Sequence, residues 1–152
     1  MYRLLICTMA ICMLFLSGCA STSAPATPKD ELPTLAGTWT IRMVHSGGIM
    51  GLSRSIEVSS EGMYTVTDER AGGTKKGRLS EEELKRLAQL VSSVQYSPPT
   101  GPSGCADCFI YDIEISGAGK PFTARADDVT LSASGLEPLV SALGAIMDRE
   151  LN

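Results

Sequence analysis

Apolar and polar residues alternate with period two from Thr38 to Val44. Trp39, Ile41 and Met43 fall on one side and Thr40 and Arg42 on the other. Such alternation marks a half-buried strand. Ile56 and Val58 repeat it between Ser55 and Ser59, and Glu61-Gly62 then makes a tight turn into Met63–Thr67, with Tyr64 and Val66 inward. The polar stretch Asp68–Gly77 predicts a loop, with a fourth short pairing near Lys76 to Leu79. Later in the chain Phe109, Tyr111, Ile113 and Ile115 form the inward side of the clearest strand. Gly117-Ala118-Gly119 turns that strand into a partner carrying Phe122, Ala124 and Ala126 on one side.

Between and after these runs the period changes to that of a helix. Leu84, Leu87, Ala88, Val91 and Val94 form one apolar stripe. Ser80 with Glu83 predicts a capping box at its start, and the proline-rich run Ser97–Gly104 ends the helix because proline has no amide donor. Leu136, Leu139, Val140, Leu143, Ile146 and Met147 form a second stripe. Ser134 with Glu137 suggests a second capping box, and Pro138 fits the first turn. Strand pairs, helix, strand pair, helix predicts an α+β domain: an antiparallel sheet of about five or six strands, covered on one face by two amphipathic helices. The long β–α–β crossover leaves room for one parallel pairing.

The N-terminus has another pattern. Arg3 precedes an apolar run from Leu4 to Leu16 that closes on Leu16-Ser17-Gly18-Cys19. This is the layout of a secretory signal, too short to span a bilayer. Its ending resembles the lipobox of bacterial lipoproteins. That resemblance implies cleavage before Cys19, acylation of Cys19 and a lipid anchor in the cell envelope. Ala20 in place of Asp then implies export to the outer membrane where the organism has one. Residues 20–33, rich in Ser, Thr, Ala and Pro, bury almost nothing and read as a tether. The expected organisation is a signal peptide over 1–18, a lipidated Cys and tether over 19–34, and one domain over 35–152.

Charge and cysteine content narrow the chemistry. Loss of Arg3 leaves 12 basic against 17 acidic side chains, which argues against nucleic acid as a partner. Beyond Cys19 only Cys105 and Cys108 remain, in Cys-Ala-Asp-Cys. Outside the cytoplasm such a pair reads as a small structural disulfide. Zinc would want two further ligands, of which His45 and Asp107 are the nearest candidates, and a thioredoxin-like site would want the first Cys at a helix N-terminus.

The chain has a single histidine, His45, with no nucleophile motif beside it, and no glycine loop leads from a strand into a helix to hold phosphate. Asp127-Asp128 could supply paired carboxylates but fits a strand end and turn. The domain is therefore read as non-enzymatic, with no cofactor and no metal. Gly37-Thr38-Trp39 resembles the opening of lipocalins, although about six strands interrupted by a helix do not build that barrel.

The unusual stretch is Ser46-Gly47-Gly48-Ile49-Met50-Gly51-Leu52, followed by Ser53 and Arg54. Hairpin turns are ordinarily short and polar. Here Ile49, Met50 and Leu52 either reach out to a partner or fold back onto the sheet edge.

The segment Ser46-Gly47-Gly48 with Gly51 and Arg54, the helix start Leu79–Leu84, the strand Cys108–Ile113 and the closing Leu136-Glu137-Pro138-Leu139 resemble the emfourin family, small protein inhibitors of thermolysin-type metallopeptidases. The resemblance runs from about Ile41 to Met147. It implies a domain that blocks a protease cleft by loop insertion. Residues 46–54 would form one inserting loop, and the segment from Pro98 to Asp107 a second. The anchor, the tether and the Cys-x-x-Cys are additions to that pattern. The expected function is a membrane-anchored lipoprotein that binds a protein partner, a metallopeptidase in the inhibitory version. The alternatives are an envelope assembly protein or a carrier of a small apolar ligand.

Overall fold

The computed structural model describes residues 30–32, 35–117 and 120–152. The expected signal segment, Cys19, most of the expected tether, and Ala118 and Gly119 of the turn after Ser116 lie outside the described residues. Six strands form one sheet: β2 (Thr40–Gly47), β3 (Leu52–Ser59), β4 (Met63–Asp68), β5 (Gly73–Arg78), β7 (Phe109–Ser116) and β8 (Phe122–Asp127). Their order is β5-β4-β3-β2-β7-β8, and every pairing is antiparallel. The possible parallel neighbour is thus replaced by β7 pairing antiparallel with β2, Ile41 opposite Ile115 and Met43 opposite Ile113. A two-residue ladder joins β1 (Asp30–Glu31) to β6 (Gln95–Tyr96). With Leu32 buried behind it, this ladder takes in residues that composition alone assigns to the tether.

The inward positions agree with the alternation. Trp39, Ile41, Met43, Ile56, Val58, Tyr64, Val66, Ile113, Ile115, Ala124 and Ala126 are buried in one core. They share it with Leu87 and Val91 of α1 (Glu81–Ser93) and with Leu139, Val140, Leu143, Ile146 and Met147 of α3 (Glu137–Leu151). Helix α3 touches β3 and β4, and α1 packs on α3.

Helix α1 begins at the predicted capping box: the Glu83 amide donates to Ser80 Oγ at 3.2 Å, and the Ser80 amide to Glu83 Oε2 at 2.8 Å. The second box does not form. Ser134 ends a separate short helix, α2 (Leu131–Ser134), its hydroxyl donating to the Leu131 carbonyl at 2.6 Å, and Leu136 stands at the N-cap of α3 without a side-chain cap. Gly135, at a φ of 78°, turns the chain between the two helices, so the Ser134 hydroxyl accepts from the Leu136 amide at 3.3 Å and not from Glu137 as a capping box requires. The fourth pairing runs over Gly73–Arg78 rather than from Lys76 to Leu79, because Gly72 makes the turn and Leu79 drops into the core.

Candidate functional site

The stretch expected to be a long loop is mostly strand. Strands β2 and β3 pair to the last residue, Gly47 opposite Leu52, with His45 opposite Arg54 and Ser46 opposite Ser53. Only Gly48–Gly51 form the turn, closed by the Gly51 amide donating to the Gly48 carbonyl at 2.9 Å. Gly47, Gly48 and Gly51 have φ values of 96°, 69° and 62°, a region that side chains disfavour. A Cβ on Gly47 would strike the Cys108 carbonyl, and one on Gly48 would come within 2.6 Å of the Phe109 ring. The glycines therefore serve backbone shape and close approach. Between them Ile49 and Met50 stand 84% and 73% exposed, while Leu52 is half-buried.

Two braces hold this tip. The first comes from the turn between β4 and β5. Asp68, the last residue of β4, lies opposite Arg54 and is buried. Its carboxylate accepts from Arg54 Nε at 2.9 Å and from the amides of Arg70 and Ala71 at 3.0 and 2.9 Å. The Ala71 amide first, and then Arg54, hold its pKa below the ordinary carboxylate value. So fixed, the turn directs the Arg70 guanidinium to donate to the Met50 carbonyl. Arg54 also lies 3.8 Å from Asp148 of α3, tying the hairpin to the helix.

The second brace is the segment before β7. The Gly48 amide donates to the Cys108 carbonyl at 3.1 Å. Cys108 is disulfide-bonded to Cys105, with their Cα atoms 5.7 Å apart. Phe109 pairs with Gly47, its amide donates to Asp128 Oδ2 at 2.9 Å, and Tyr111 Oη donates to Asp128 Oδ1 at 3.1 Å. The alternation places Phe109 inward, yet it is 38% exposed, because it stands at the sheet's end, opposite Gly47. Val129, in the turn strapped to Phe109 by the Asp128 amide, is 63% exposed. His45 sits among these groups, stacked on Tyr111 at 4.8 Å and edge-on to Phe109 at 5.0 Å. Its Nε2 is buried without a hydrogen-bond partner. Burial lowers its pKa below the ordinary 6.5; Arg54 lowers it further, while Asp128 and Asp148 oppose.

The Asp127-Asp128 pair is spent on architecture. Asp127 Oδ1 accepts from the amides of Val129 and Thr130 and from Thr130 Oγ1, and Oδ2 accepts from Ser103. The Ser103 bond, its largest influence, holds the Asp127 carboxyl below the usual range and pins the proline-rich loop to the end of β8.

The structure thus brings Ser46–Leu52, Arg54, Cys105 and Cys108 to one end of the sheet, with Ile49 and Met50 outward. Among the described residues no group of three or more His, Cys, Asp or Glu side chains is placed to hold a metal, and no helix is long and apolar enough to cross a membrane. Sequence reasoning missed Asp68, Arg70, Phe109 and Asp128 as parts of this end. Asp68 carried a legible signal, since it continues the inward parity of Tyr64 and Val66 and a buried carboxylate demands partners. No protein-family model matches the chain, and no curated protein matches it.

Proposed function

We propose that this chain is a lipid-anchored envelope protein, held through Cys19, whose domain binds a protein partner by inserting the Gly48–Gly51 tip into an apolar cleft. In the emfourin-like version of this reading the partner is a thermolysin-type metallopeptidase and the outcome is inhibition. The single observation that carries the docking is the exposure of Ile49 and Met50 on a turn braced from both sides. Two bulky apolar side chains held in water contribute nothing to folding, and ordering them beforehand lowers the entropy cost of binding. The Cys105–Cys108 disulfide suits an extracytoplasmic domain. We also read α1 and α3 as covering one face of the sheet, which would leave Arg42, Glu57, Glu114 and Arg125 on the open face.

Carriage of an apolar ligand is less well supported. A surface depression of about 440 Å³ is lined by the charged Arg42, Asp112, Glu114 and Arg125 together with Tyr96, Ile113, Thr123 and Ala124, and Asp112 and Arg125, opposite each other on neighbouring strands, pair at 3.2 Å.

The test adds purified residues 20–152 to a thermolysin-type enzyme and follows peptide hydrolysis. Inhibition at micromolar domain is the expected result, with a loss of at least about tenfold for Met50→Asp, since burying a charge in an apolar subsite is costly. Unchanged hydrolysis sinks the inhibitory claim. Photo-crosslinking in cells from position 50 then separates a peptidase from an envelope-assembly partner.

A further inference from the structure

We propose that the Cys105–Cys108 disulfide is a redox latch on the docking tip, so that its reduction by a protein dithiol loosens the hairpin and weakens docking. This regulation rests on the docking reading above. Its basis is the juxtaposition of the disulfide with the base of the tip.

Cys108 supplies the carbonyl that accepts from the Gly48 amide, and the Gly47 Cα is packed so close to that carbonyl that no side chain fits between them. On its C-terminal side Cys108 is positioned by Phe109, whose amide is held by Asp128. On its N-terminal side the disulfide closes a four-residue ring with Cys105. That ring is tied back to the fold through Ser103, which accepts from the Cys105 amide at 3.3 Å and donates to Asp127. The disulfide therefore stiffens the path from the end of β8, through Ser103 and Cys105, to the carbonyl that clamps Gly48, replacing a free two-residue link with a closed ring. None of these residues contributes to the hydrophobic core. Opening the ring therefore loosens the clamp and leaves the domain folded.

Access favours the exchange. Cys105 is exposed and Cys108 half-buried. A thiolate of the reductant attacks Cys105 Sγ and forms a mixed disulfide, while the S–S bond breaks and Cys108 leaves as thiolate to take up a proton. The reductant's second thiol resolves the mixed disulfide and frees Cys105 as thiol. Two electrons and two protons pass from the dithiol to the cystine, and the reductant ends as a disulfide. A disulfide oxidant of the same class reverses the step.

The experiment compares the intact protein, oxidised and after native-state treatment with dithiothreitol, by thiol alkylation with mass analysis and by amide hydrogen exchange. The latch predicts that both thiols appear while the protein is folded. It also predicts that the Gly48 amide exchanges at least about tenfold faster, with core amides such as Ile113 unchanged. The double variant Cys105→Ser with Cys108→Ser should reproduce the reduced pattern. Gly48 protection within about twofold of the oxidised protein overturns the latch and leaves a plain staple. Resistance to reduction until unfolding, or loss of Ile113 protection in the double variant, overturns it as well. These readouts involve no partner, so a flat result leaves docking standing. Failure of the Met50→Asp test alongside the predicted exchange removes docking alone.

Discussion

Asp68 illustrates how much one side chain organises here. It is a charge at an inward position, and it stays ionised because three donors converge on it: Arg54 and the amides of Arg70 and Ala71. Asp68→Ala leaves those donors without their acceptor and frees Arg70 from its alignment on the Met50 carbonyl. The expected result is exchange at the Ala71 amide faster by at least about tenfold, with weaker docking although Ile49 and Met50 are untouched. Arg70→Ala should weaken docking with little effect on thermal stability, since Arg70 lies on the surface. A matched loss of stability in both variants would show that the brace serves the fold and not the tip. Gly77 makes a different demand, because a Cβ there would run into the Tyr64 hydroxyl, which donates to Glu150 Oε1 at 2.6 Å. Gly77→Ala is expected to cost about 1–3 kcal/mol in denaturant unfolding.

At the scale of elements, helix α1 shows a signal wholly local to the sequence. Ser80 and Glu83 cap each other as their spacing implies, and Ser80→Ala should cost about 1 kcal/mol. The Ser80 amide first, and then Arg149 of α3 at 2.7 Å, hold the Glu83 pKa below its ordinary value. The sign follows: the unfolded chain binds the proton more readily, so the contribution is present above the ordinary Glu range and is lost as pH falls through the folded pKa. The Ser134–Glu137 spacing carries the same letters and no box, because Gly135 turns the chain between them. Strand bounds erred likewise by local logic. Gly47 and Leu52 look like loop residues, yet they pair because β7 and the Cys108 carbonyl support the backbone from the side.

For the molecule as a whole, His45 reports on the integrity of the sheet end that carries the Gly48–Gly51 turn. Its neutral form is favoured by burial, so its folded pKa lies below 6.5. Stability from this group is complete above that value and is lost as pH falls toward the folded pKa, because the unfolded chain takes up the proton first. A thermal-unfolding series from pH 7.5 to 5 should therefore decline in the native protein and be flatter in His45→Phe. Equal slopes would show that the unpartnered Nε2 is not destabilised by protonation. Asp128, Asp148, Arg54 and Tyr111 all face this ring, so the comparison is best made against variants that leave those groups in place.

Pattern alone determined the faces of the strands, the helix stripes and the α+β class, because alternation and helical spacing record which side chains leave water, a constraint each element carries within itself. Tertiary structure decided that Ile49 and Met50 stand exposed while Leu52 is half-buried. It also placed Asp68, Arg70, Cys108 and Asp128 around a four-residue turn. Those outcomes depend on strand order and on hydrogen bonds between residues tens of positions apart. Side-chain type records the tendency to be buried, but not which distant backbone group will be there to meet it.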